Sequence, residues 1–343
     1  MRSPTVSVII PVYNRAGPVA QAVASIVAQT LSDLEIIVVD DGSSDTSAEA
    51  AERAGGDRVR VIRHSANRGI PAARNSGLEA ASGRYIAWLD SDDIARPRRL
   101  ERQVRFLESR PEVAMVGAAA GRIRVDGGRK AGTRVPLFEH RAIAPALLFR
   151  SPFQQSAIMG RDAILKQFPY RPEFPVCEDL DMFIRLTEHH RVANMHEVLV
   201  DRRLHPDQIG RSESALVRDR KRLLLGQQLA RLGLDFSSAD LDRHITLGAP
   251  KNLPQPSEML AWSKEWLASL QRANAAARLY DPDGLALASA LAWATLCRAS
   301  MRGRRPMHAL HELVASSLIM GFLGSSGLSW LSGALPTLLL GAR

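Results

Sequence analysis

The chain has 343 residues, 45% of them hydrophobic and 24% charged, which is enough for a core domain and a second region. Its net charge of +9 and pI near 10.2 indicate an anionic partner: a nucleotide, a nucleic acid or phospholipid headgroups. Cys177 and Cys297 form no CxxC pair, which argues against a zinc site or disulfide framework and is typical of a reducing cytosol.

The first half of the chain alternates short β-branched runs with helical patterns, which predicts a parallel sheet flanked by helices. Strands are expected at 5–13, 34–40, 57–64, 84–93 and 113–120, and helices at 19–29 and 70–81. The segment DDGSSD after the second strand is expected to be a turn-rich loop. Pro97 is expected to open a further helix at its first position.

The second half begins with a predicted hairpin at 121–135, whose turn is Asp126, Gly127 and Gly128. The segment SAIMGRDAI predicts a short strand passing into a helix, and CEDLDMFIRLTEHHR predicts a helix with Glu178 and Asp179 at its entrance. Beyond residue 212 the pattern is mostly helical. We therefore expect an α/β domain over 1–211 and a helical region over 212–343.

Both ends of the chain bear on membrane association. The apolar run at the N-terminus is too short for a secretory signal. Residues 314–342 carry no charge, but their Gly, Ser and Pro content argues against a membrane span. For the tail at 313–342 a buried helical hairpin and a membrane-surface segment both stay open.

Acidic side chains follow two of the predicted strands. Strand two ends in Asp40 and Asp41, and strand four ends in Asp90, Ser91, Asp92 and Asp93. In an open α/β sheet, ligands bind beyond the carboxyl ends of the strands, so both clusters are expected to face one crevice if the two strands are near neighbours. A divalent cation allows such carboxylates to share a site, and Mg²⁺ or Mn²⁺ combines one or two of them with substrate phosphates. A single Asp there would more simply be a helix cap or turn residue.

A nucleic-acid binder is disfavoured because the arginines are scattered and lack interleaved aromatic residues, which make up only 5% of the chain. A nucleotidyltransferase, the nearest rival enzyme, would normally carry a Gly-rich basic loop after strand one, and PVYNRAGPVAQ differs from that.

The segments VSVIIPVYNR, IIVVDDGSSDTS, NRGIPAARNSGLEAASGRYIAWLDSDD and CEDLDMFIR occur in an order that resembles the family 2 glycosyltransferases. The likeness covers roughly residues 4–211. It implies an inverting enzyme of the GT-A fold, an α/β architecture with a Rossmann-like mixed, mainly parallel sheet flanked by helices, here with a C-terminal helical extension. It also implies a nucleotide-diphosphate sugar donor, a divalent metal and transfer to an acceptor hydroxyl.

The resemblance assigns roles to the donor-site residues. Pro11 and Tyr13 would border the nucleobase, and Asp41 would accept a hydrogen bond from N3–H of uracil or thymine, which favours a UDP- or dTDP-sugar over a cytidine nucleotide. Asp90 would face the ribose and sugar. Arg68, Arg74 and Ser91 are further donor-binding candidates, and Asp93 would support the site or cap the following helix.

The resemblance also supplies the metal ligands and the base. Asp92 and His205 would hold Mg²⁺ or Mn²⁺, although Arg202–Arg203 replaces the family's common Tyr-Arg pair before this segment. Asp179 would be the general base, with Glu178 beside it, while Asp181 would be a solvated or salt-bridged helix acid on another face. The set Asp92, Asp179 and His205 argues against a catalytically inactive sugar-nucleotide-binding protein.

The acceptor is less closely defined. Relatives commonly carry His near Gln155, where the acceptor approaches, and the QxxRW motif of processive polymer synthases is absent. The resemblance therefore implies addition of one or a few sugars to a glycan or lipid-linked acceptor, in cell-surface polysaccharide or glycolipid synthesis, with a protein acceptor also open. The implied location is the cytoplasm or the inner face of the plasma membrane through peripheral contact. His189–His190 and the pair His308 and His311 are expected to be surface residues.

Overall fold

The computed structural model describes residues 3–124, 128–134, 137–204, 215–250, 253 and 255–301. Within these residues, nine strands join one sheet. They are β1 (Val6–Val12), β2 (Leu34–Asp40), β3 (Val59–Arg63), β4 (Tyr85–Trp88), β5 (Ile94–Ala95), β6 (Val113–Arg124), β7 (Arg129–Arg134), β8 (Met159–Arg161) and β9 (Arg191–Leu204).

Eleven α-helices accompany the sheet in the same part of the chain. They are α1 (Ala16–Val27), α2 (Ser47–Gly55), α3 (Ile70–Ala80), α4 (Arg99–Ser109), α5 (His140–Ala146), α6 (Asp162–Leu165), α7 (Glu178–Thr187), α8 (Ala215–Arg231), α9 (Ser238–Gly248), α10 (Pro256–Ala277) and α11 (Pro282–Ser300).

The first four strands form a parallel layer in the order β3-β2-β1-β4. Val8 and Ile36 on one face and Ile9 and Ile37 on the other are fully buried, as expected for strands covered on both faces by helices. Beyond β4 the sheet continues as β8-β6-β9-β5, in which β8 is antiparallel to β4 and β6 is parallel to β9. The expected mixed α/β sheet flanked by helices is therefore confirmed.

Several local predictions are also confirmed. β6 and β7 form the antiparallel hairpin, although Asp126 and Gly127 of its predicted turn lie outside the described residues. The strand passing into a helix is β8 followed by α6, and the acid-bearing helix is α7. His189 is exposed and His190 half-buried, while His308 and His311 lie outside the described residues.

Two predictions about helices need correction, and one helix was not predicted. α1 begins at Ala16, three residues before the predicted start. The segment DDGSSD after β2 is a loop, as predicted, but it leads into the unpredicted α2, whose small Ala residues pack against the core. Pro97 is not the first residue of α4, which begins at Arg99. Arg96 N donates to Leu199 O of β9 at 2.9 Å, and the chain turns before the helix starts.

The chain separates into two compact units. The first comprises Met1–Phe138 and Phe153–Glu213 and contains the sheet; the second comprises Glu139–Pro152 and Ser214–Arg343. The second unit thus includes α5, which precedes the boundary predicted near residue 211, together with α8–α11. No helix in the described part of the chain is long and apolar enough to cross a membrane. The tail at 313–342 lies outside the described residues.

Candidate functional site

The candidate site lies at the carboxyl edge of the parallel layer. β1 pairs in parallel with both β2 and β4, so the residues that follow these three strands emerge at the same edge. β1 lies between the two acid-bearing strands, and a spacing of 4.7–4.9 Å per strand puts β2 and β4 about 10 Å apart. Asp41 and Asp90 therefore belong to one edge, separated by a single strand.

Asp41, after β2, fixes the loop that leads into α3. Its Oδ1 accepts from Arg68 N at 2.9 Å and lies 2.6 Å from His64 Nδ1, and its Oδ2 accepts from Gly69 N at 2.8 Å. The carboxylate is buried. Asp41 therefore holds the start of α3 against the end of β2, and Oδ2 keeps hydrogen-bonding capacity beyond its bond to Gly69.

Gly42 is required by the same loop. Its φ is +75°, and a Cβ built there would lie 2.5 Å from the carbonyl carbon of Ala66. Both the left-handed backbone and the close approach favour glycine over any other residue. The DDG segment thus positions the 64–69 loop as well as supplying a carboxylate.

Residues 90–93, which follow β4 after Leu89, have different surroundings. Asp90 is partly exposed, whereas Ser91 and Asp93 are buried. Asp93 accepts from Ser156 Oγ at 2.6 Å and from Arg203 N at 2.9 Å, so it links the β4 end to β9 and does not cap α4, whose N-cap is Arg98. Burial, together with the charges of Asp90 and Asp92, raises the pKa of Asp93 to about 7.

Asp92 pairs with an arginine that the sequence did not suggest. Arg15 Nη1 lies 2.9 Å from Asp92 Oδ2, and the two side chains are 32% and 14% exposed. The preceding residue, Asn14, has a φ of 50° and accepts through Oδ1 from Ser44 N at 2.8 Å. The loop after β1 thus connects the loop after β2 with the carboxylate after β4.

Arg74 joins the β4 end to α7. Its Nη1 donates to Glu178 Oε1 at 2.7 Å and its Nη2 to Asp90 Oδ1 at 3.2 Å, and the side chain is buried. The guanidinium also lies over the ring of Tyr170, 5.3 Å from its centroid. The nearby carboxylates raise the pKa of Arg74 despite its burial, so the residue is a permanent cation between two acids.

Tyr170 is itself held by Gln155, whose Nε2 donates to the Tyr170 hydroxyl at 2.8 Å. Both side chains are buried, and burial raises the pKa of Tyr170. Gln155 Oε1 makes no hydrogen bond within the described residues. A chain of contacts therefore runs from Gln155 through Tyr170 and Arg74 to Asp90 and Glu178.

The two acids at the start of α7 differ in burial. Glu178 is buried, and desolvation with the charge of Asp179 raises its pKa to about 7, while Arg74 opposes that rise. Asp179 is half-buried, and its Oδ1 accepts only from the adjacent Leu180 N, at 2.7 Å, among the hydrogen bonds described. Asp179 is therefore the more available of the two carboxylates for a substrate hydroxyl.

Asp181 is salt-bridged as one alternative predicted, but it is fully buried and not solvated. Arg171 and Arg185 both pair with it, the latter at 2.9 Å from Oδ2. Asp181 holds α7 to the segment before it, because Arg171 lies in that segment.

The remaining predicted residues are more scattered. Pro11 is half-buried near the end of β1, and Tyr13 just beyond it is 46% exposed. The Arg68 side chain is exposed, while its backbone N–H binds Asp41. His205 lies outside the described residues. The structure thus brings Arg74, Asp90 and Glu178 into direct contact and leaves Tyr13 and Arg68 at the surface.

Sequence reasoning missed Arg15, His64 and Tyr170. Arg15 lies three residues after β1, and His64 follows β3 directly. Their position just beyond the carboxyl end of a strand is the sequence signal that could have identified both. Tyr170 lies in a segment between α6 and α7 without a periodic pattern, so only the fold brings it to Arg74.

No group of three or more His, Cys, Asp or Glu side chains suited to a metal occurs in the described part of the chain. A divalent cation there would have to combine few carboxylates with other oxygen ligands. Mg²⁺ commonly does so, using one or two carboxylates and the phosphates of a substrate. The partly exposed Asp90 and Asp92 fit that ligand set.

The chain is similar to proteins of one known family. A family model described as glycosyl transferase family 2 matches residues 7–168. The amylovoran biosynthesis glycosyltransferase AmsE of Erwinia amylovora is 32% identical over 212 residues, which cover 60% of this chain and 78% of that protein. An uncharacterized glycosyltransferase of Haemophilus influenzae is 29% identical, covering 68% of this chain and 77% of its own.

Other matches are to longer proteins, and the chain spans only 24% of a hyaluronan synthase from Pasteurella multocida. Among solved structures, residues 1–349 of S. aureus TarS in complex with UDP-GlcNAc align with a TM-score of 0.54 at 17% identity, covering 89% of this chain and 92% of that one. At this identity the likeness establishes the fold, which is of the GT-A type.

Proposed function

The chain belongs to the family 2 glycosyltransferases, and from that premise we propose that it moves a sugar from a UDP- or dTDP-sugar to an acceptor hydroxyl with inversion at the anomeric carbon. The observation that carries the proposal is the position of Arg74. This buried cation contacts Asp90 after β4 and Glu178 at the start of α7. The candidate base Asp179 thereby lies next in sequence to a residue tied to the donor-site acids.

Donor recognition would use the edge formed by β1, β2 and β4. Asp41 would accept N3–H of uracil or thymine through Oδ2, which already accepts from Gly69 N. Pro11 and Tyr13 would border the base, and Asp90 and Ser91 would face the ribose and sugar. The UDP-GlcNAc complex of the structurally similar TarS supports a uridine nucleotide.

The transfer step needs one base. Asp179 would take the proton of the acceptor hydroxyl as its oxygen bonds to the anomeric carbon, while the bond from that carbon to the diphosphate oxygen breaks and the nucleoside diphosphate leaves with its electron pair. Attack opposite the leaving group inverts the anomeric centre. Glu178 would position Asp179 and Arg74, since its own carboxylate is already bound to Arg74.

A divalent cation, Mg²⁺ or Mn²⁺, would be held by Asp92, with His205 as a further ligand candidate. When bound, it would offset the negative charge on the departing diphosphate as a Lewis acid.

The acceptor would approach near Gln155, whose Oε1 has no described hydrogen bond and can accept one from a hydroxyl. Glutamine cannot change its charge, so it would orient the acceptor without moving a proton. The name of AmsE, an amylovoran biosynthesis enzyme, supports a glycan or lipid-linked acceptor in cell-surface polysaccharide synthesis.

A donor screen tests the proposal. The purified protein is incubated with UDP- and dTDP-sugars and Mn²⁺, and release of the nucleoside diphosphate is compared with and without EDTA. We expect at least one donor to be hydrolysed slowly in the presence of metal. Release of pyrophosphate would instead identify a nucleotidyltransferase, and no turnover with tight nucleotide binding would identify an inactive sugar-nucleotide-binding protein.

A further inference from the structure

The ion pair between Arg15 and Asp92 is placed where the donor diphosphate and its metal would bind. Arg15 follows β1, the strand between the two that carry Asp41 and Asp92. Its Nη1 lies 2.9 Å from Asp92 Oδ2. Arg15 therefore supplies a positive charge to the middle of the candidate site from a strand to which the family likeness assigned only Pro11 and Tyr13.

The backbone of Arg15 is fixed while its side chain keeps access to solvent. Arg15 N donates to Ser47 Oγ at 2.8 Å, and the residue is the N-cap of α1. The side chain is 32% exposed, in contrast to the buried Arg74. An arginine with an anchored backbone and a partly solvated guanidinium can exchange one anionic partner for another without disturbing the fold.

The described contacts of the neighbouring carboxylates differ from those of Asp92. Arg74 binds Asp90 and Glu178 from a buried position, and Asp93 is held by Ser156 and Arg203. Asp92, by contrast, pairs with a cation that reaches the solvent. A divalent cation bound to Asp92 would compete with the guanidinium of Arg15, because both are attracted to the same carboxylate and repel each other.

We propose that Arg15 is a donor-binding residue that exchanges Asp92 for the donor's diphosphate when donor and metal bind. In the donor-free protein Arg15 opposes metal binding by occupying Asp92. In the donor complex it binds phosphate oxygens, to which a guanidinium fork is well matched. This inference rests on the proposed function, since it needs a nucleotide-diphosphate ligand and a metal at Asp92.

The exchange predicts opposite effects of one substitution in two binding measurements. Mn²⁺ binding without nucleotide is measured by the paramagnetic resonance of free Mn²⁺, and UDP binding at saturating Mn²⁺ by calorimetry. Arg15→Gln is expected to bind Mn²⁺ alone at least about threefold more tightly than wild type. It is expected to bind UDP about tenfold or more weakly, the factor that corresponds to losing a charged hydrogen bond.

Two further variants sharpen the test. Arg15→Lys keeps the charge and should restore part of the UDP affinity. Arg98→Gln removes an exposed arginine that is likewise a helix N-cap, that of α4, and pairs with Glu101, and it should change neither measurement. A purely structural role for Arg15 would weaken both Mn²⁺ and UDP binding in Arg15→Gln and would overturn the proposal.

The outcomes also separate this inference from the proposed function. If Arg15→Gln binds Mn²⁺ no more tightly than wild type, the competition is wrong, and if it binds UDP normally, the diphosphate contact is wrong. If the wild-type protein binds neither UDP nor dTDP at any metal concentration, the proposed donor fails, and this inference falls with it.

Discussion

Arg74 Nη1 lies 2.7 Å from Glu178 Oε1, and both side chains are buried although they are 104 residues apart in the chain. The contact fixes the start of α7 against α3 within the sheet-containing unit. It also brings the acid pair Glu178–Asp179 to the loop after β4, because the same guanidinium binds Asp90.

Removal of Arg74 should therefore destabilise the protein strongly. Arg74→Ala leaves Glu178 buried without its cation, and loss of one partner of a buried pair costs about 3–5 kcal/mol. Arg84→Ala, which breaks an exposed ion pair with Glu108, should cost about 1 kcal/mol or less. Urea unfolding of the variants measures the difference. Equal losses in the two variants would contradict a structural role for the Arg74 pair.

Glu178 should make stability depend on pH. Its pKa is raised from 4.5 to about 7 in the folded protein, mainly by burial, so the folded state holds the proton more tightly than the unfolded state. The stabilisation from this group is complete below about pH 4.5 and is lost as the pH rises through about 7. Melting temperatures of wild type relative to Glu178→Gln should fall across this window and level off above it. A constant difference would mean that Glu178 does not titrate there.

Asp179 is expected to act on turnover and not on donor binding. Asp179→Asn keeps the shape but removes the base, so kcat should fall by about 10²- to 10⁴-fold while UDP affinity is retained. Glu173→Gln changes an exposed acid a few residues earlier and should leave both values unchanged. The measurement is the rate of sugar transfer, made with a donor that the wild-type protein hydrolyses in the donor screen. Near-normal transfer by Asp179→Asn would remove the base assignment.

Asp92 should make the affinity for the donor nucleotide depend on the divalent metal. Asp92→Asn lacks the charge that favours Mg²⁺ or Mn²⁺, so UDP affinity should no longer respond to added metal. The exposed Asp57 lies away from this loop, and Asp57→Asn serves as the matched control. Calorimetric titrations with and without Mn²⁺ test both variants. A metal response preserved in Asp92→Asn would place the cation elsewhere.

Gly42 offers a test of the loop that Asp41 holds. Gly42→Ala adds a Cβ 2.5 Å from the Ala66 backbone at a φ of +75°, so both strain and collision should destabilise the protein. Gly56→Ala also has a positive φ, +53°, with ψ −140°, but meets nothing within 4 Å, so it should cost only the backbone strain of about 1–3 kcal/mol. Thermal melting separates the two effects, and UDP affinity should fall in Gly42→Ala alone. Equal melting shifts would mean that the loop moves away freely.

Patterning predicted the parallel half of the sheet because β1 and β2 are short, buried and rich in β-branched residues, and β4 is a short buried apolar run that leads into an acidic segment. The strand ends also located Asp41, Asp90 and Asp92. α2 was missed because the Ser- and Asp-rich loop before it has a turn composition, and Pro97 was misplaced because the contact of Arg96 with β9 delays the start of α4.

Contacts between segments that are distant in the chain could not be predicted from residue patterns. Arg74 carries no sequence sign that it is buried against Glu178 and Tyr170, since an Arg on a helix is usually solvated. The relation of β2 to β4 through an intervening β1 depends on strand order, which residue patterns do not determine. The pairing of Arg15 with Asp92 depends on that same order.

The residues Glu139–Pro152 belong to the helical unit although they lie within the stretch that forms the sheet. In that unit α5 packs against α11, and Gly284 of α11 approaches Arg141 O so closely that a side chain would not fit. The helices after residue 213 are consequently not an independent C-terminal domain, because the unit to which they belong also contains residues 139–152. Swapping C-terminal regions between relatives would require exchanging two separate stretches together, because either stretch alone would arrive without the surface against which it folds.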